Sequence, residues 1–148
     1  MRILAVDPGS VRVGIALSDE GEVLATPLTT LKPGPSLASR VVAAARDAGA
    51  GLVVIGLPRR LDGGEGPEAQ QARELAASVA SLGLPAELWD ERFTSVMAAA
   101  ALRAARPRRG SRAAAARRAD TDRVAAAVLL QSFLDSRRSR AAAGTGTA

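Results

Sequence analysis

Leu52-Val53-Val54-Ile55-Gly56 constrains the fold more than any other stretch: it is uncharged, largely β-branched and carries no polar residue. A strand of this kind is buried on both faces, so its sheet needs helices on each side. Arg2-Ile3-Leu4-Ala5-Val6-Asp7 is a second apolar run, closed at once by Pro8-Gly9, and also suits a central strand. Two such strands in 148 residues point to one layered α/β domain, long enough to bury a core. Trp89, Phe93 and Phe133 are the only aromatic residues, so that core must be aliphatic and alanine-rich.

The remaining elements follow from turn residues and periodicity. Val11 to Ser18 alternates small and apolar residues and pairs with the first strand as a hairpin. Glu22 to Pro27 supplies a third strand after the Asp19-Glu20-Gly21 turn. Pro33-Gly34-Pro35 marks a loop, and Ser36 is expected to cap a helix running to Ala48. Pro58 to Gly66 is a glycine-containing loop; a helix of about 15 residues begins at Pro67 and stops at Gly83. Ala86 to Asp90 is a short fifth strand, and Thr94 or Ser95 opens a helix ending before Pro107. Residues 106–118 are basic, low in complexity and read as mobile. A last helix is expected from Asp120 to Asp135, with 137–148 as a disordered tail. Three strands as a meander, then two more separated and followed by helices, form a mixed five-stranded sheet flanked by helices. That is the element order of the RNase H-like fold, assigned to residues 1–136.

Composition removes several chemistries. Without cysteine there is no disulfide framework, and without histidine as well a zinc or copper centre is disfavoured. No apolar stretch reaches the ~18 residues of a membrane span, and no basic-then-apolar leader stands at the start. A soluble, untargeted, cytoplasmic protein is expected. The formal charge of +5 is unevenly placed: residues 1–90 carry 8 basic and 11 acidic groups, residues 91–148 carry 12 and 4. A half of net +8 suits a polyanion, and nucleic acid is the natural partner. Base bias in the genome explains why arginine supplies nearly all of this charge, but not why it clusters.

Asp7 closes a buried strand beside a tight turn at Gly9, with Gly14 and Ala16 leaving room for close backbone approach. Asp90-Glu91 and Asp120/Asp122 stand at comparable ends of later elements. Three acidic groups gathered at one place are how a chain without histidine or cysteine would hold a hard divalent metal. Each has a plainer reading. Asp7 suits an Asx-turn, and Asp-x-Gly after a first strand also opens the phosphate loops of actin-like ATPases. Asp120 and Asp122 suit a helix start, favoured by capping and the dipole alone. Adjacent strand residues point to opposite faces, so only one of Asp90 and Glu91 should face a site. Asp120 and Asp122 diverge by about 200° on a helix, so again only one should, with Val124, Val128, Leu129 and Phe133 as the packing face. Arg92 suits a carboxylate or a phosphate equally.

Taken together these stretches resemble the YqgF/RuvX family, the pre-16S rRNA nuclease group also described as Holliday junction resolvase-like. The resemblance runs from Arg2 to Asp135. It includes Gly56-Leu57-Pro58, the loop glycines Gly63 and Gly66, the Asp90-Glu91-Arg92 strand end, and Asp122 with Ala125, Ala126, Leu130, Gln131 and Leu134. Phe93 and Ser95 stand where the family more often has Leu and Thr, and the 106–118 stretch is unusually rich in Arg and Ala. What the resemblance implies is an RNase H-like fold and metal-dependent phosphodiester hydrolysis, with Asp7, Glu91 and Asp122 as catalytic residues and metal ligands. Asp7 would bridge two Mg²⁺ or Mn²⁺ ions about 3.5–4 Å apart, one activating water and the other stabilising the leaving oxygen. Arg12, Arg92, Arg103, Arg106, Arg108, Arg109, Arg112, Arg117 and Arg118 would hold phosphates.

The implied activity is an endonuclease on structured nucleic acid, processing the 5′ end of pre-16S rRNA. Resolution of a Holliday junction or other branched DNA is the alternative; it needs paired active sites and hence a homodimer, for which no face is evident in the sequence. A nucleic-acid-binding module without catalysis is the second alternative, disfavoured because all three acids are present. An actin-like ATPase would need two such domains, and the chain has room for one.

Overall fold

The computed structural model describes residues 1–8, 11–59, 62–91 and 112–145. The strands are β1 (Arg2–Asp7), β2 (Val13–Ser18), β3 (Ala25–Leu31), β4 (Ala50–Leu57) and β5 (Ala86–Asp90). The helices are α1 (Leu37–Asp47), α2 (Pro67–Ser81) and α3 (Arg112–Thr145). One sheet runs β3-β2-β1-β4-β5, antiparallel through the β1–β2–β3 meander and parallel from β1 through β4 to β5. This is the RNase H-like arrangement expected from the element order, with the two apolar runs as adjacent central strands.

Alternation along those strands divides the core in two. Leu4, Val6, Val53, Ile55 and Leu57 face α1 and α2, where Val41, Val42, Ala45, Ala72, Leu75 and Val79 cover them. Ile3, Ala5, Leu52 and Val54 face α3, against Ala126, Ala127, Leu130, Phe133 and Leu134. Burying each large aliphatic side chain contributes about 1.5–3 kcal/mol, so both layers are strongly held. Trp89 extends the α3 side, edge-on to Phe133 at 5.4 Å with Nε1 donating to Ser132 Oγ.

Several expectations need correction. The third strand begins at Ala25, not Glu22: Glu22 takes φ +58°, and Asp19 Oδ1 accepts the amides of Val23 and Leu24, which prolongs the turn. Ser36 occupies the N-cap position of α1, but its hydroxyl caps no amide and accepts from Arg40 instead. The last helix starts at Arg112 and reaches Thr145, so part of the basic stretch and most of the expected tail are helical. Alanine and arginine are among the best helix formers, and a run of them gives the helix no reason to stop at Asp135. Its packing face is Ala126, Ala127, Leu130, Phe133 and Leu134, while Val124 and Val128 are only half-buried. The helix expected from Thr94 or Ser95, with Arg92, Phe93, Arg103, Arg106, Arg108 and Arg109, lies outside the described residues. Among the described residues no helix is long and apolar enough to cross a membrane.

Candidate active site

The site is built on one row across three neighbouring strands. Asp7 ends β1 and pairs with Gly14 of β2; on its other side Val6 pairs with Ile55, so Gly56 of β4 comes next to Asp7. Alternation puts Asp7 on the same face as Ile3 and Ala5, beneath α3. The two flanking glycines leave the space that the other acids use. A Cβ on Gly14 would lie 2.0 Å from the backbone oxygen of Asp122, so α3 sits on bare β2 backbone there. A Cβ on Gly56 would lie 2.8 Å from Glu91 Oε1. One glycine therefore admits the helix that brings Asp122, and the other admits the carboxylate that follows β5.

These placements leave Asp7 in an unfavourable setting for a charge. Burial, the Glu91 carboxylate beside it and a hydrogen bond between the two side chains push its pKa from 3.8 to about 8; Asp122 adds to the rise. Asp7 therefore keeps its proton well above the usual carboxylate range. Asp122 is turned toward Arg12, whose Nε donates to Oδ2 at 3.0 Å. Asp122 also lies well inside α3, past its first turn, so capping does not account for it.

The donor set is suited to a hard divalent cation: three carboxylates, no softer ligand, and a buried acid destabilised by like charge. As the side chains stand, no three acidic groups among the described residues close around a common point. Asp122 is instead paired with the Arg12 guanidinium. By the chemistry of its donors, this set of carboxylates fits a hard divalent cation.

The other singled-out residues separate from this row. Asp90 points away from Glu91, as strand alternation requires, and pairs with Arg59 Nε at 3.3 Å. Arg59 also approaches Glu65, which Arg73 holds in turn. Asp19 brackets a turn, and the two amides it accepts hold its pKa low. Arg112, Arg117 and Arg118 fall in the first part of α3. Sequence reasoning did not find three contacts: Arg12 to Asp122, Gly56 beneath Glu91, and Gln131, which accepts from Ala25 N and donates to Val23 O to tie α3 to the edge strand. A glycine ending the most apolar run was the one available signal for the second.

Comparison with known proteins bears on the same residues. The family model described as "RuvX: Holliday junction resolvase" matches residues 1–136. A protein of Thermobifida fusca, named "Putative pre-16S rRNA nuclease", is 42% identical over 139 residues, covering 91% of this chain and 87% of its own. Proteins of the same name from Nocardioides sp. and Pelotomaculum thermopropionicum are 42% and 43% identical, over 95% and 97% of this chain and 91% and 94% of theirs. Among solved structures, Thermus thermophilus RuvC aligns over 87% of this chain and 92% of its own, at 15% identity and a TM-score of 0.49. With the family model matched over residues 1–136, a span that takes in both central strands and Asp7, Glu91 and Asp122, the chain belongs to the RuvX family.

Proposed function

We propose that this protein is a divalent-cation-dependent endonuclease that cleaves phosphodiester bonds in structured RNA and processes the 5′ end of the 16S ribosomal RNA precursor in the cytoplasm. The observation that carries the reading is Asp7 hydrogen-bonded to Glu91 in the space left by Gly56, with Asp122 brought in over Gly14 by α3. The names of the relatives from three genera support RNA as the substrate.

Asp7, Glu91 and Asp122 would hold Mg²⁺ or Mn²⁺, which when bound supplies an activated water and a Lewis acid for the leaving oxygen. Glu91 keeps its carboxyl over Gly56 and against Asp7, so both ligands are oriented before substrate arrives. Asp122 comes to the site on a helix whose backbone rests on the sheet, which fixes its height above Asp7. Arg12 and the arginines at 92, 103, 106, 108, 109, 112, 117 and 118 would bind the backbone phosphates, giving a steep dependence on salt. With only three aromatics, recognition rests on shape and backbone more than on base stacking.

The family description points to branched DNA as the second reading. One experiment separates the two. Purified protein with Mg²⁺ or Mn²⁺ is offered an rRNA precursor, a Holliday junction, a flap and a single strand side by side, with Asp7→Asn as control. Cleavage of the precursor above all others, lost in the variant, is the expected result. Preference for the junction by a dimeric protein would replace RNA processing with resolution. Full activity of Asp7→Asn would overturn the site itself.

A further inference from the structure

Among the described residues, Arg12 pairs with Asp122 and with no other acidic group. Its Nε lies 3.0 Å from Asp122 Oδ2, and the two side chains are 27% and 37% exposed. The pair therefore reaches solvent, where ion pairs are weakly held and readily exchanged. The Asp122 main chain, by contrast, is pinned on Gly14. Its carboxylate can change partner without the helix moving. Arg59, a second cation near these strand ends, is engaged by Asp90 and Glu65. Arg12 is thus positioned to neutralise Asp122 and to compete with a cation for its carboxylate.

We propose that Arg12 is an exchangeable counter-ion: it occupies Asp122 until a divalent cation binds, then moves to a backbone phosphate of the nucleic acid. The inference rests on the cation-dependent nuclease reading above and adds its regulation. A guanidinium binds carboxylate and phosphate with the same planar fork, so one side chain serves both partners without rebuilding. While on Asp122 it competes with the cation; once displaced it is a free charge at the place where a phosphate must approach. Cation and nucleic acid then favour each other's binding, and linkage requires the factor to be the same in both directions.

The test is binding, without turnover. Mn²⁺ affinity is measured by calorimetry for wild type, Arg12→Gln, Arg12→Lys and Asp7→Asn, first alone and then with a phosphorothioate RNA hairpin. Removing the competitor should tighten Mn²⁺ binding by Arg12→Gln roughly 5-fold or more in the absence of RNA. The same variant should bind the hairpin more weakly, with a salt slope smaller by about one. The factor by which Mn²⁺ strengthens hairpin binding should shrink as well. Arg12→Lys keeps a charge but loses the fork, and should fall between the two. Circular dichroism shows that each variant is folded. Mn²⁺ affinity unchanged or weakened in folded Arg12→Gln would overturn the exchange. If Asp7→Asn keeps wild-type Mn²⁺ affinity, the metal site itself is wrong; if it loses that affinity while Arg12→Gln is unchanged, the exchange alone fails.

Discussion

The two faces of the sheet are made from the same strands and end differently. Toward α1 and α2 the side chains from Leu4 to Leu57 are aliphatic to the end of the row, and the layer closes. Toward α3 the same alternation runs through Ile3 and Ala5 and then reaches Asp7, flanked by two positions with no side chain. One face uses volume to fill space; the other withholds volume at Gly14 and Gly56 so that a helix backbone and a carboxylate can enter. A core and a site can thus share one strand, separated only by parity.

Breaking the comparison at each face should give different losses. Leu4→Ala empties a buried position on the α1/α2 face and should cost about 2–5 kcal/mol in denaturant unfolding, leaving Mn²⁺ affinity near wild type. Gly14→Ala drives a methyl into the Asp122 backbone; it should cost roughly 1–3 kcal/mol or more and weaken Mn²⁺ binding as well, because α3 must lift. Equal Mn²⁺ affinities in the two variants would remove the distinction between the faces.

A pH-dependent effect sharpens the contrast. Folded Asp7 holds its proton to about 8, whereas an unfolded aspartate releases it near 3.8. Between those values the folded state binds the extra proton, so this contribution is complete below about pH 4 and is lost as pH rises through about 8. In cation-free buffer, Asp7→Asn should therefore gain stability relative to wild type across that window, by a few kcal/mol at its upper end. Urea midpoints at several pH values check it, and a constant difference between the proteins would show that Asp7 is not held protonated. The smallest effect belongs to the acids off the row. Glu65→Gln removes an exposed partner of Arg59 and Arg73 and should leave the urea midpoint nearly unchanged. A loss of cleavage in that variant would extend the site to the Asp90 side of β5.

Much of the architecture was legible before any coordinates. Apolar runs at 2–7 and 52–56 are short, continuous and bounded by turn residues, so strand type and central position follow from local patterning. Where local signals conflict, the boundaries differ from the expected ones: Asp19 holds the turn open past Glu22, and α3 extends beyond Asp120 and Asp135. The bland account of Asp122 as a helix cap failed for the same reason, since it depended on where the helix began.

Sequence alone determined which side chains alternate, hence that Asp7 must share a face with Ile3 and Ala5, and that only one of Asp90 and Glu91 could join it. Tertiary structure decided which elements cover that face and what they bring. Asp122 meets Gly14, Glu91 meets Gly56, and Arg12 meets Asp122. Residues so far apart in the chain are not linked by any local period or turn rule; strand register and the rotation of α3 on the sheet bring them together.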